Sequence, residues 1–296
     1  MADIYGAIIG DIVGSYHEVL EMEWFTTKTV DYDRREAILD SSTALFTDKS
    51  SFTDDSILTC AVANAILTDG DYEKSIRLFG MKEKDLGVDI YGRSKFGNGF
   101  INWLLGKESE KSYGNGCAMR ISPVGYAFGS LAETLSEAEK SIVCSHGGDD
   151  TVACGKAVAG AVFLARQGST KQEIKDFAES IIGRSLDYDI DELRQNYTFK
   201  VKAINSVPQA IACFLNGNDF EDVLRKSISI GGDSDTIASI ACGIAGAYYD
   251  IPEDIKASAN KYITDEYRKI LDDFNERFVG RRNEYAEENN SIRLSS

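Results

Sequence analysis

The sequence predicts an all-α protein. Only three of its 296 residues are proline, so few positions would interrupt a helix. Apolar residues recur at helical rather than alternating spacing through most of the chain. With 43% hydrophobic residues and a length near the limit of one core, we expect a single domain over residues 1–280. Residues 281–296 are polar and predict a C-terminal tail.

The first predicted helix carries Gly6, Gly10 and Gly14, which lie on one face and would let another helix approach closely. Segment 183–198 is polar and should be exposed. Glycine-rich turns at 97–99, 114–116 and 147–148 are candidate ligand loops. Further helices are predicted, in chain order, at 55–68, 99–105, 135–143, 151–167, 171–182, 207–215, 220–229, 236–249 and 255–278.

Charge and cysteine content narrow the classes of function. A net charge of −16 argues against binding to nucleic acids or anionic membranes. The six cysteines are dispersed and form no CxxC motif, which is typical of reduced core residues. The apolar N-terminal stretch contains acidic residues and resembles neither a signal peptide nor a spanning helix. We therefore expect a cytoplasmic monomer that does not associate with membranes.

Two short acidic clusters, 53–55 (TDD) and 233–236 (DSDT), each open an apolar, Ala-rich run. A lone cluster of this kind is more often a helix cap than a ligand set. However, one Asp suffices for a cap, and the run after 233–236 is apolar enough to bury its own start, where unpaired charge is costly. Carboxylate and hydroxyl oxygens suit Mg²⁺, Mn²⁺ or Ca²⁺ and argue against Zn²⁺.

The remaining polar motifs each have a plain structural alternative. The segment 112–120 (SYGNGCAMR) is either a phosphate-cradling loop or a simple turn. Taken alone, His146 is typical of a surface or capping histidine, and Glu18 of a solvated acid. Asp149 and Asp150 favour a cap of the helix that follows. The sequence has no GxSxG elbow and no cysteine beside an activating histidine, so a nucleophilic hydrolase is disfavoured.

Together these segments resemble the ADP-ribosylglycohydrolase family. The matching motifs occur in the family order and span residues 6–247. They are GAIIGDIVGSYHE (6–18), FTDDSIL (52–58), FGNGFINWL (96–104), SYGNGCAMRISPVG (112–125), SH (145–146) and GGDSDTIASIACGIAGA (231–247).

The resemblance implies a compact orthogonal multi-helix bundle with a dinuclear Mg²⁺ or Mn²⁺ cleft. Asp11 would support the metal site, and Glu18, on a stretch able to flex, would gate the substrate and act in catalysis with Asp54, Asp55 and Asp235. The implied metal ligands are Thr53, Asp54, Asp55, Asp233, Asp235 and Thr236, with Asp235 bridging the two ions. The implied substrate-binding residues are Gly97, Gly99, Ser112, Tyr113, Gly114, Asn115, Gly116 and His146.

The implied activity is metal-dependent hydrolysis of the bond between ADP-ribose and a modified protein side chain. The loop at 112–116 together with Glu18 looks closer to the serine-directed branch, which favours an O-linkage. Many relatives have proline or small apolar residues after Ser-His, whereas this chain has GGDD at 147–150. This departure keeps an arginine-linked substrate as an alternative, beside a non-catalytic ADP-ribose-binding homologue. A phosphohydrolase would need more basic residues, since Arg120 is the only one in the motifs.

Overall fold

A computed structural model describes residues 3–22, 29–84, 95–107 and 110–279. Within these ranges the chain forms helices and two isolated β-bridges but no strand, so the all-α prediction is confirmed. The predicted tail at 281–296 lies outside the described residues. None of the helices in this described part has the length and apolarity needed to cross a bilayer.

Sixteen α-helices lie within the described residues. The first eight are α1 (Tyr5–Met22), α2 (Tyr32–Ala37), α3 (Asp54–Leu67), α4 (Tyr72–Glu83), α5 (Asn98–Leu104), α6 (Gly116–Met119), α7 (Ser122–Ala127) and α8 (Leu131–Val143). The next eight are α9 (Asp149–Arg166), α10 (Lys171–Ile182), α11 (Ile190–Asn196), α12 (Val207–Asn216), α13 (Phe220–Ser229), α14 (Ser234–Tyr248), α15 (Glu253–Ala259) and α16 (Asp265–Phe274). A 3₁₀ turn at Ala203–Asn205 precedes α12, and a π-helical turn at Asn275–Val279 follows α16.

The core is built around α14, which is buried along nearly its whole length. Helices α1, α9, α12 and α13 pack around it. A helix that is apolar on all sides is stable only when other helices cover it. The run of Ile, Ala and Gly after Asp235 makes α14 such a helix. Because α14 begins at Ser234, this burial carries the second acidic cluster into the interior.

Two predictions for the second half of the chain, at 255–278 and 183–198, were wrong. The predicted helix at 255–278 is broken, because α15 ends at Ala259 and α16 begins after Thr264. The Arg268 guanidinium donates to the carbonyls of Asn260 and Ile263 at 2.9 and 2.8 Å, which satisfies acceptors freed by the break. Segment 183–198 is not uniformly exposed, since it contains α11, whose Arg194 is buried.

Four further helices, α2, α4, α6 and α7, were not predicted. Helix α4 is capped by Asp71, whose carboxylate accepts from the Lys74 amide at 3.0 Å, and α2 is capped by Asp31 in the same way. In the described part of the chain all six cysteines are free, and only Cys144 is not fully buried. This agrees with their predicted role as core residues, while the cytoplasmic location stays a prediction.

Candidate active site

The site begins at the contact between α1 and α14, where glycines bring the two backbones together. A β-carbon at Gly10 would lie 2.2 Å from the Ala238 carbonyl oxygen, and one at Gly14 would lie 2.5 Å from the Asp235 α-carbon. Such distances are impossible for a side chain. The predicted close helix approach is therefore present, and it sets Asp11 and Glu18, two turns apart on α1, beside Asp235.

The two acidic clusters do not act as helix caps. Thr53 occupies the N-cap position of α3, but its hydroxyl donates to the Asp11 carboxylate rather than to its own helix. Asp233 occupies the N-cap position of α14 without capping it, and its carboxylate accepts from Asn115 Nδ2 at 2.7 Å. The capping interpretation is wrong for both positions, since both side chains are committed to contacts between elements.

Carboxylates from three elements converge at this point. One oxygen from each of Asp11, Asp55 and Asp235 lies within 4.8 Å of the others. Glu18, Asp233 and Asp235 form a second group that meets the same limit. Asp235 belongs to both groups, so the structure contains two adjacent, overlapping positions that a cation could occupy.

Asp11 is fully buried and supports the cluster from behind. Its carboxylate accepts from the backbone amides of Thr53 and Ser56 at 3.0 and 3.1 Å. These bonds fix the start of α3 to the middle of α1. They also aim the first turn of α3, which carries Asp54 and Asp55, toward α14.

The electrostatics of the cluster call for positive charge. Burial raises the pKa of Asp55 and Asp235 well above the ordinary value, and repulsion from the neighbouring carboxylates raises it further. Burial and the charges of Asp11 and Asp233 raise the pKa of Asp54 to about 8. Carboxylates in this state either bind protons or are neutralised by a cation.

The donor set fits a hard divalent cation. Asp55 Oδ1 is buried and has no hydrogen-bond partner among the residues that the structure describes, which is costly unless something else binds that oxygen. The Thr236 hydroxyl lies 3.4 Å from the other Asp55 oxygen. All of these groups offer oxygen, as Mg²⁺ and Mn²⁺ prefer.

The cluster forms one wall of a cavity of about 680 Å³, a size typical of small-molecule sites. Every site residue predicted from the sequence lines it. On the carboxylate side these are Glu18, Thr53, Asp54, Asp55, Asp233, Asp235 and Thr236. The remaining predicted lining residues are Gly97, Gly99, Ser112, Tyr113, Gly114, Asn115, Gly116 and His146.

The loop at 112–116 is held by backbone hydrogen bonds on both flanks. Ser112 pairs with the turn at 145–147 through bonds of 3.1 and 3.0 Å. Asn115 donates its amide to the Val201 carbonyl at 2.8 Å, and Ala203 donates to Tyr113 at 3.1 Å. Since the Asn115 side chain also reaches Asp233, this loop is tied directly to the carboxylate cluster.

Three single-residue interpretations need correction. His146 is buried, not at the surface. Glu18 is not a solvated surface acid, since it lies inside α1 and is half-buried on the cavity wall. Asp149 and Asp150 are exposed in the first turn of α9, whose N-cap is Gly148, and they do not line the cavity in the described part of the chain.

Several lining residues escaped sequence reasoning. Lys49, Lys95 and Lys111 bring positive charge to the cavity, and Trp103 and Phe199 bring aromatic surface. Lys95 donates to the Phe52 carbonyl at 2.8 Å, one residue before the first acidic cluster. Lys95 comes directly before the FGNG motif, and this position was the only feature of the sequence that could have placed Lys95 at the site. Trp103 lies inside the quoted motif at 96–104 but had no assigned role, and the others lie between motifs.

A buried ion pair beneath the second acidic cluster was also missed. Arg35 pairs with Glu21 and donates to the backbone carbonyls of Arg194 and Tyr197. The same Glu21 carboxylate accepts from the Gly232 amide at 3.2 Å. Gly231 and Gly232 both have positive φ, which favours glycine. This arrangement fixes the backbone immediately before Asp233.

Comparison with known proteins agrees with this fold. The ADP-ribosylglycohydrolase family profile matches residues 2–286, so the chain belongs to that family of hydrolases acting on ADP-ribosyl linkages. A solved structure titled "ADP-ribosylglycohydrolase-related protein complex" superposes with a TM-score of 0.66 at 19% identity, covering 93% of this chain and 95% of the other.

Individual relatives are distant. The chain is 26% identical over 329 residues to "ADP-ribosylhydrolase ARH3" of Mus musculus, covering 87% of this chain and 86% of that protein. The Homo sapiens protein of the same name is also 26% identical, over 320 residues. "ADP-ribosylarginine hydrolase Tri1" of Pseudomonas putida (strain GB-1) is 22% identical over 221 residues, covering 68% and 59% of the two chains.

Proposed function

We propose that the protein hydrolyses the O-glycosidic bond between ADP-ribose and a protein serine, using two divalent cations. The observation that carries the proposal is that one cavity joins two overlapping carboxylate groups to a fixed glycine loop. A substrate bound between them would present its ribose to the carboxylates and its diphosphate to the loop. Such a division suits a ligand with a polyol at one end and a polyanion in the middle.

The metal-binding residues would be Thr53, Asp54, Asp55, Asp233, Asp235 and Thr236, with Asp235 shared between the two positions. Cations bound there would supply the charge that holds ribose hydroxyls and lowers the pKa of an attacking water. Asp11 keeps the first turn of α3 in place through its backbone hydrogen bonds. Either Mg²⁺ or Mn²⁺ suits this oxygen donor set.

Glu18 is the candidate for proton transfer. A departing serine oxygen needs a proton as the bond to ribose breaks, and a positioned carboxyl can supply or relay it. Glu18 lines the cavity and lies within reach of Asp233 and Asp235. Its carboxyl would therefore lie near the bound cations, although it is not part of the group formed by Asp11, Asp55 and Asp235.

The residues around the cavity also bear on whether ADP-ribose is linked to serine or to arginine. The 112–116 loop and Glu18 favour the serine-directed branch. An arginine-linked substrate would be steered by a fixed acid beside the site, yet Asp149 and Asp150 lie outside the described cavity wall. The similarity to the Pseudomonas putida hydrolase keeps arginine as the second candidate.

The test is hydrolysis of matched peptides that carry ADP-ribose on serine or on arginine, followed by mass spectrometry. With Mg²⁺ or Mn²⁺ we expect faster release from the serine peptide and none after EDTA treatment. Faster release from the arginine peptide would overturn the linkage. Binding of ADP-ribose without release from either peptide would make the protein a non-catalytic homologue.

A further inference from the structure

A buried relay of polar groups, formed by Arg120, Ser145 and His146, lies next to the glycine loop at 112–116. Arg120 follows α6 and is fully buried, and its Nη2 donates to Ser145 Oγ at 2.7 Å. Ser145 Oγ lies 2.8 Å from His146 Nδ1. All three residues line the cavity, and at most 5% of each is exposed.

The direction of the first bond is fixed because a guanidinium can only donate. Ser145 Oγ must therefore accept from Arg120, which leaves its own hydrogen to be donated elsewhere. His146 Nδ1 is the strong acceptor within reach, and the Cys144 thiol, at 3.9 Å from the same oxygen, is a weak partner. With Ser145 as donor the relay runs from Arg120 through Ser145 to His146, whereas a proton on Nδ1 of His146 would reverse the second bond.

We propose that Arg120 and Ser145 are positioning residues that hold His146 neutral with its proton on Nε2, as a hydrogen-bond donor to the anionic part of ADP-ribose. The inference rests on the proposed function for the identity of the ligand. Nε2 lies 3.4 Å from the place where a β-carbon of Gly116 would stand, so the donor faces the glycine loop. A glycine at 116 leaves this approach open.

Two further observations support the assignment. Burial and the nearby Arg120 charge lower the pKa of His146 well below its ordinary value, so the imidazole is neutral and one nitrogen must accept. In addition, Nε and Nη1 of Arg120 are buried and have no hydrogen-bond partner among the described residues. The guanidinium therefore contributes a weakly compensated positive charge directly behind the proposed phosphate position.

The tautomer of His146 can be read directly, because the chain contains only two histidines. Nitrogen-15 NMR of histidine-labelled protein, without substrate, should show His146 neutral and protonated at Nε2. His17 is an internal reference in the same spectrum, since its Nδ1 lies 3.0 Å from Arg34 Nη1 and must accept as well. A His17→Gln variant assigns the two signals.

Ser145→Ala should shift His146 toward protonation at Nδ1 and weaken ADP-ribose binding by about three- to tenfold, the usual range for one hydrogen bond. Ser145→Thr, which keeps the hydroxyl, should restore both. Ser141→Ala is the matched control, because Ser141 is also buried but its hydroxyl has no hydrogen-bond partner. It should leave the His146 signal and the affinity unchanged.

A wild-type His146 that is charged or protonated at Nδ1 would overturn the proposal. So would a Ser145→Ala protein with an unchanged tautomer, or one with an altered tautomer and unchanged ADP-ribose affinity. Arg120→Met should mix the tautomers, and an unaltered His146 signal there would remove Arg120 from the relay. None of these measurements requires turnover, so they stay informative if the proposed hydrolysis fails.

Discussion

The two ends of the cavity handle charge in opposite ways. At one end, carboxylates from α1, α3 and α14 are buried together with raised pKa values and an unpartnered Asp55 oxygen. At the other end, the glycine loop is held by backbone bonds in front of a buried guanidinium. These two parts of the cavity wall therefore suit groups of opposite charge, cations at the carboxylates and an anionic group at the loop.

The sharpest way to separate the two ends is to remove one charge from the carboxylate end. Asp235→Asn should abolish turnover and binding of Mg²⁺ or Mn²⁺, because Asp235 belongs to both carboxylate groups and an amide cannot replace its charge. ADP-ribose should still bind at the loop, as measured by calorimetry. Asp149→Asn, at an exposed first-turn position, is the matched control. Metal binding retained by Asp235→Asn would refute the division.

Glu18→Gln tests the boundary between the ends. We expect the catalytic rate to fall about 10²- to 10⁴-fold, the range for a positioned acid or base, with ADP-ribose affinity nearly unchanged. Single-turnover rates and equilibrium binding separate the two quantities. Equal losses of both would make Glu18 a binding residue, and an unchanged rate would exclude it from the mechanism.

Gly10→Ala tests whether the carboxylate end depends on the close backbone contact between α1 and α14. The new methyl would meet the Ala238 carbonyl, so the free energy of unfolding should fall by at least about 1–3 kcal/mol, as in overpacked cores. Metal affinity should fall more than ADP-ribose affinity. Gly129→Ala, where a β-carbon meets nothing within 4 Å, serves as control. Parallel losses of both affinities would show that the ends are not independent.

The smallest expected effect is on pH dependence. A carboxyl with a raised pKa in the folded state favours folding below its ordinary value of 3.8, and this contribution is lost as pH rises toward about 8 for Asp54. Metal ions replace the lost protons. The increase in Tm on adding Mg²⁺ should therefore grow between about pH 4 and pH 8 in the wild type. It should stay flat in Asp235→Asn.

The carboxylate end was the easier of the two to predict. Two acidic residues at the start of a buried apolar helix repel each other and lose their hydration. The pattern at 53–55 and 233–236 therefore implied a cation shared by the two clusters. Arg120 and Ser145 stood inside quoted motifs without a role, because their contact joins two loops distant in sequence. The break at 260–264 was missed because helical periodicity continues across it, and only the Thr-Asp-Glu start of α16 marks it.

Helix α1 also acts as a spacer. Asp11 and Glu18 are seven residues apart, about 10.5 Å along a straight helix, and each completes a different carboxylate group around Asp235. One residue more or fewer between them would turn one carboxylate by about 100° around the axis. The relative placement of the two carboxylate groups thus depends on the number of residues within a single helix. Any gating by Glu18 must come from side-chain rotation or from movement of the whole helix, not from a hinge between these residues.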